Sequence, residues 1–162
     1  MTKTRSRACA PKVQRMLQLT PMQARQQIID TVIDLTQLSA AHRAIAVGGG
    51  APELCVALQR RGFLRVVTSA TCPVARGQHS IGIIAGHHSL QALEALIGDI
   101  SHYLDTTAAI AVLIDTTEHG CGLKVRARLE QHGFRIDAGV RCQQGFVLSA
   151  RRQDAVHMVV AA

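Results

Sequence analysis

Four short apolar runs, set between glycine turns and segments of helical spacing, limit what this chain can fold into. The runs are Ala44–Val47, Phe63–Ser69, Ile81–Ala85 and Ala108–Ile114. Each is long enough for a strand and too apolar to leave a face in water, which is the pattern of a parallel sheet covered on both sides. Helical spacing fills the intervals. Thr20-Pro21 starts a helix that runs to about Leu38, with threonine as the cap and proline in the first turn. Pro52–Arg61 places Leu54, Ala57 and Leu58 on one face and stops at Gly62. Ser89 caps a helix carrying Leu90, Leu93, Leu96, Ile97, Ile100, Tyr103 and Leu104, and Leu123–His132 forms a shorter one ending at Gly133. Two alternating segments close the chain, Phe134–Arg141 and Phe146–Arg151, and the Gln-Gln-Gly between them signals a hairpin. Ala155–Val160 is a further candidate strand, and Cys72–His79 reads as a loop.

Strands alternating with helices give an α/β architecture. We expect a three-layer αβα, Rossmann-like fold, with a mostly parallel sheet of about six strands and an antiparallel C-terminal edge hairpin. Residues 20–162 form one domain, and residues 1–19 a basic, flexible tail. Aromatic residues make up only 2% of the chain and tryptophan is absent, so the core is built from Val, Ile, Leu and Ala. The net charge is +7, and its one dense run is the head, with Lys3, Arg5, Arg7, Lys12 and Arg15 and no acid. Such a head is a solubilising terminus or an arm that meets nucleic-acid phosphates, and the first reading is preferred. No apolar run has the length of a signal segment or membrane span, so a cytoplasmic protein without membrane contact is expected. The five cysteines, at 9, 55, 72, 121 and 142, are odd in number and read as free thiols.

In an open α/β sheet, ligands bind beyond the carboxyl ends of the strands where the strand order reverses. Gly48-Gly49-Gly50 follows the first run directly, and a helix starts at Pro52, so its backbone can approach a ligand closely. His87-His88 follows the third run and is a candidate general base or substrate contact. Cys72, His87, His88, His119 and Cys121 all fall just past strand ends, which leaves a shared metal ion as an alternative. No nucleophile elbow and no lysine-bearing phosphate loop is present.

From Thr20 to Arg152 the order of segments resembles the class I S-adenosylmethionine-dependent methyltransferases. RAIAVGGGAPELCVALQRRGF is similar to their first strand, glycine loop and helix. IIAGHHSLQALEALIGDISHYL resembles the fourth strand and its helix, AAIAVLID the fifth strand, RARLEQHGFRI the entry to the sixth, and GFVLSARR the last. The resemblance implies S-adenosylmethionine as cofactor, with Gly48, Gly49, Gly50, Glu53, Ser69, Thr71, Ala85 and Gly86 around it and His87 and His88 as catalytic candidates. Glu53 would meet the amino group of the methionine part, while Ser69 and Thr71 would face the ribose. The departures are specific. Ala46 replaces the acid before the glycine loop, Ser69-Ala70-Thr71 the acid after the second strand, and Ser80 the acid before the fourth. Asp105-Thr106-Thr107 replaces the turn before the fifth strand. The stretch between Thr71 and Ser80 is also too short for the usual helix and third strand. A degenerate cofactor site follows, because one carboxylate holds two ribose hydroxyls better than a neutral hydroxyl does. The alternative is a non-catalytic binding or assembly module of the same fold, such as a homodimer.

Overall fold

Between Pro21 and Arg152 the chain lays down a helix and then strands interleaved with helices, except that β3 follows β2 with no helix between them among the described residues, before closing on two strands. The computed structural model describes residues 19–70, 75–86, 89–115 and 119–153. The elements are α1 (Pro21–Thr36), β1 (Ala44–Val47), α2 (Ala51–Arg60), β2 (Val66–Thr68) and β3 (His79–Ile84), then α3 (Leu90–Ser101), β4 (Leu104–Ile114), α4 (Cys121–Gln131), β5 (Phe134–Cys142) and β6 (Gly145–Arg152). The six strands form one sheet in the order β2-β1-β3-β4-β6-β5. β2, β1, β3 and β4 are parallel, and β6 runs antiparallel to both β4 and β5. The expected architecture is therefore present, including the antiparallel edge hairpin. Its two-residue turn, Gln143-Gln144, lies between the paired Cys142 and Gly145.

The two faces of the sheet explain why the strands are apolar on both sides. Ala44 and Ala46 of β1 pack with Ile81 and Ile83 of β3 beneath α1 and α2, through Ile29, Val32, Leu54 and Leu58. Ile45 and Val47 face the other way, with Ile110 and Val112 of β4, beneath α3 and α4. Both layers are almost purely aliphatic, and each fully buried Leu, Ile or Val contributes about 1.5–3 kcal/mol relative to exposure. Phe134 is the largest fully buried side chain.

Local signals place the helix starts. The Thr20 hydroxyl accepts from the Gln23 amide while the Gln23 side chain accepts from the Thr20 amide, a complete capping box. The Ser89 hydroxyl accepts from the Ala92 amide at the start of α3.

Several boundaries differ from the sequence reading; α1 ends at Thr36, β4 begins at Leu104 and α4 begins at Cys121. The third helix ends at Ser101, so Tyr103 and Leu104 are not helical. The Tyr103 amide donates back to Ile100, closing the last turn, and Leu104 enters β4 opposite His79. The second strand begins at Val66 rather than Phe63, because the Phe63 amide donates to Leu58 and the Leu64 amide to Gly62 in a turn that leaves Leu64 75% exposed. β3 starts two residues early, at His79, which ends the Cys72–His79 loop sooner. The candidate strand at Ala155–Val160 lies outside the described residues. β2 is an edge strand, and no strand lies beyond it among the described residues.

Candidate functional site

The strand order reverses at β1, whose neighbours are β2 on one side and β3 on the other. The glycine loop leaves β1 at this point. Gly48 has φ +102°, a conformation that L side chains rarely adopt, and the Ala51 amide donates to its carbonyl to close the turn into α2. Gly50 is needed for a different reason. Its amide donates to the Ala85 carbonyl at 3.1 Å, and a Cβ built on it would stand 3.2 Å from the Gly86 nitrogen and 3.4 Å from the Ala85 carbonyl carbon. The close backbone approach expected here thus takes place against the protein's own β3 loop. That contact fixes the N-terminus of α2 beside the carboxyl end of β3.

Beside this junction is a cavity of about 410 Å³. Its floor is the carboxyl end of β4, with Leu113, Ile114 and Asp115, and one wall is α1 and α2, with Ile28, Ile29, Leu54 and Ala57. The tip of the β5–β6 hairpin closes another side through Gln144, Gly145, Phe146 and Val147. Gly145 lets the hairpin approach so closely, since a Cβ there would fall 2.7 Å from the Ile114 carbonyl oxygen. The lining is mainly aliphatic, and its charged groups are Arg25, Glu53 and Asp115. Arg25 and Glu53 form an ion pair, Nη2 to Oε2 at 3.2 Å, with both side chains about 70% exposed (67% and 70%). An exposed pair of this kind adds little stability and is free to exchange partners. Glu53 also lies in the first turn of α2, where the helix dipole favours a carboxylate. An apolar cavity with a few convergent charged groups is the usual form of a small-molecule site.

The cavity gathers Gly50, Glu53, Ala85 and Gly86 from the expected site residues. Gly48 and Gly49 shape the loop without lining the cavity, and Ser69 is exposed just past β2, also away from the wall. Thr71, His87 and His88 lie outside the described residues, His87 and His88 directly after Gly86 in sequence. Sequence reasoning missed Arg25, Asp115 and the hairpin tip. Asp115 carried a legible signal, as the acid that ends the apolar run AAIAVLI. Arg25 carried none, being one polar residue among many on α1.

Of the metal alternative, Cys121 is buried at the start of α4, packed among Val125, Leu93 and Ile114, while His119 is exposed. Cys72, His87 and His88 are outside the described residues, and among those described no group of three or more His, Cys, Asp or Glu side chains converges. Cys55, Cys121 and Cys142 are buried thiols, not disulfides. Burial pushes the Cys55 thiol up to about 11, so it stays protonated and unreactive. No helix among the described residues is long and apolar enough to cross a membrane.

No family model matches the chain, and no curated protein matches it. Solved structures do. A magnesium protoporphyrin IX methyltransferase from Synechocystis PCC 6803, determined with bound SAM, superposes with a TM-score of 0.61 at 15% identity, covering 84% of this chain and 86% of that one. A ribosomal protein L11 methylase from Lactobacillus delbrueckii subsp. bulgaricus gives 0.61 at 15% identity, with 79% of each chain covered. A 1,6-didemethyltoxoflavin-N1-methyltransferase from Burkholderia thailandensis, with S-adenosylhomocysteine bound, gives 0.57 at 14%, covering 81% and 79%. At such identities the likeness is one of fold: the chain has the fold of the S-adenosylmethionine-dependent methyltransferases.

Proposed function

We propose that this chain is a small S-adenosylmethionine-dependent methyltransferase whose grip on the cofactor is concentrated at the methionine end. The observation that carries the reading is the cavity at the carboxyl ends of β3 and β4, with the α2 N-terminus and the Arg25–Glu53 pair on its rim. The methionine part of the cofactor is a zwitterion. A neighbouring guanidinium and carboxylate match its two charges, Arg25 taking the carboxylate and Glu53 the ammonium group. The donor set therefore fits that end. At the ribose end the chain offers the Ser69 hydroxyl and, in sequence, Thr71, so binding there rests on neutral hydrogen bonds of roughly half the strength.

When bound, S-adenosylmethionine supplies an electrophilic methyl group on a sulfonium. The protein's part is to orient and to exclude water. Leu113, Ile114, Phe146 and Val147 give an apolar seat for a small acceptor, and alignment of this kind is a large share of what a transferase must provide. Asp115 holds a negative charge on the same floor. His87 and His88, next to Gly86 in sequence, are the candidates for taking the acceptor's proton, a role worth about 10²–10⁴ in rate.

Thermal unfolding with millimolar S-adenosylmethionine or S-adenosylhomocysteine tests the reading. A ligand at about 100 times its Kd stabilises by about 2.7 kcal/mol, and we expect a rise in Tm that Glu53→Gln and Arg25→Gln each reduce. An unchanged Tm with both ligands counts against it. A second reading, a non-catalytic module of the same fold, is favoured by the missing carboxylate after β2. It predicts binding of neither ligand, or binding with no methyl transfer to any acceptor.

A further inference from the structure

At the opposite end of the sheet, the amino ends of β1, β2 and β3 carry a rim of arginines. Between Asp34 and Glu94 the only acid in the sequence is Glu53, at the cavity end and paired with Arg25. Over the same span Arg43 precedes β1, Arg60 and Arg61 end α2, Arg65 precedes β2 and Arg76 precedes β3. Arg43, Arg60, Arg65 and Arg76 are exposed, and the Arg61 side chain is 29% exposed beside Asp30. The strand register sets Arg43 and Arg65 beside each other, since Ala44 pairs with Val66 and the Ala44 amide donates to the Arg65 carbonyl. Arg43 also donates to the Gln78 side chain at 3.1 Å, which ties the entry of β3 to the same rim.

The charge is compensated only in part, by Asp30 on Arg61 and by Asp105, which with Arg43 acts on His79. Arg61 pairs with Asp30 and Arg65 donates to the Ala41 carbonyl, but the side chains of Arg60 and Arg76 have no hydrogen bond or ion pair among the described residues. The dipole of α2 accounts for cations at its C-terminus, hence for Arg60 and Arg61. It does not account for arginines at three strand entries. Elsewhere on the molecule Arg151 pairs with Asp137 and Arg126 with Glu130.

We propose that this rim docks the phosphate backbone of a double-helical nucleic acid. Every cation in it is arginine, whose planar fork matches a phosphate with two parallel hydrogen bonds. No exposed aromatic side chain stands in the rim to stack on unpaired bases, which favours a backbone over single-stranded bases. An anionic membrane fits less well: among the described residues Leu64 is the one exposed large apolar side chain there, and the chain has no tryptophan to seat at an interface. The rim lies about 15–20 Å from the cavity, the length of β3. Docking there anchors the protein without filling the cavity, and it does not depend on the methyltransferase reading.

The test is fluorescence anisotropy of a labelled DNA duplex of about 20 base pairs, titrated with the full-length chain over a series of salt concentrations. Binding is expected to weaken linearly in log–log form, and Arg60→Ser with Arg76→Ser is expected to reduce the slope by about 1.8. Neither side chain holds another residue in place, and an unchanged Tm checks that the variant folds. A second full-length variant replaces Lys3, Arg5, Arg7, Lys12 and Arg15 with serine, and it should still bind with a slope that responds to Arg60 and Arg76. The proposal is overturned by a slope that the double substitution leaves unchanged. Binding lost entirely with the five head cations, or binding to anionic phospholipid vesicles but not to the duplex, also overturns it.

Discussion

Gly50 shows how one residue type can serve a site indirectly. Its missing Cβ lets the β1 loop lie against Ala85 and Gly86, so the glycine positions the cavity wall instead of touching a ligand. Gly50→Ala places a methyl 3.2 Å from the Gly86 nitrogen, tighter than most real contacts of this kind, and the neighbour that must give way is backbone. We expect a loss of about 1–3 kcal/mol in chemical denaturation, with the midpoint lowered and the m-value unchanged. An alanine variant as stable as the wild type would contradict this reading of the loop. At the other end of the sheet His79 is 7% exposed, and its Nδ1 is buried without a hydrogen-bond partner among the described residues. Burial lowers its pKa, the Tyr103 carbonyl opposes that, Arg43 lowers it further and Asp105 raises it. His132 is lowered too, first by burial and then by Arg128, His102 and Arg152. A histidine whose folded pKa is depressed stays neutral in the native state while the unfolded chain takes up a proton. Stability is therefore full above the unfolded value of about 6.5 and falls as the pH drops through it. The Tm should decline between about pH 7 and 5.5, and His79→Gln should remove part of the decline, leaving the share of His132. A variant that loses stability as steeply as the wild type would refute the role of His79.

At the scale of elements, Arg152 joins pieces that are distant in sequence. Its guanidinium donates to the Leu104 carbonyl at 2.8 Å, to the Asp105 carbonyl at 3.0 Å and to the Ser101 carbonyl at 3.0 Å, and it lies 5.0 Å from the centre of the Phe134 ring. It thereby satisfies the end of α3 and the start of β4 at once, where a cation also meets the negative end of the helix dipole. Arg152→Leu should cost about 1.5–3 kcal/mol by denaturation, and Arg152→Lys should recover only part, because an ammonium lacks the fork. The same contact explains a limit of the sequence reading. The spacing of Ile100, Tyr103 and Leu104 continues the helical period, and nothing nearby announces that an arginine almost fifty residues later (|i−j| 48 to Leu104) will hold the chain as it turns into β4. Boundaries with local signals, such as the start of α1 with its capping box or the Gln143-Gln144 turn, were legible almost to the residue. The site divides in the same way. Gly50, Glu53, Ala85 and Gly86 belong to local strand–loop–helix patterns and were found. Arg25 and the hairpin tip reach the cavity only because the sheet brings α1 and the β5–β6 hairpin over the end of β4, which no short window of sequence contains.

For the whole molecule, the strand order reverses at β1 within the parallel part of the sheet, and the cavity and the arginine rim lie at opposite ends of its strands. Among the described residues β2 is an edge strand, with Ser69 just past its end and no further helix and strand on the ribose side of the expected cofactor cleft. The cavity, by contrast, is lined by α1, α2, the ends of β3 and β4, and the hairpin. This asymmetry leads to the central claim, that cofactor recognition is concentrated at the methionine end. The most direct measurement is a backbone amide NMR titration of the full-length protein with S-adenosylhomocysteine. The account predicts saturable shifts at Glu53, Gly86 and Asp115, with little change at the distant Arg43 and Arg65. Amides around the cavity that stay unmoved at saturating ligand concentrations, or shifts confined to the arginine rim, would contradict it.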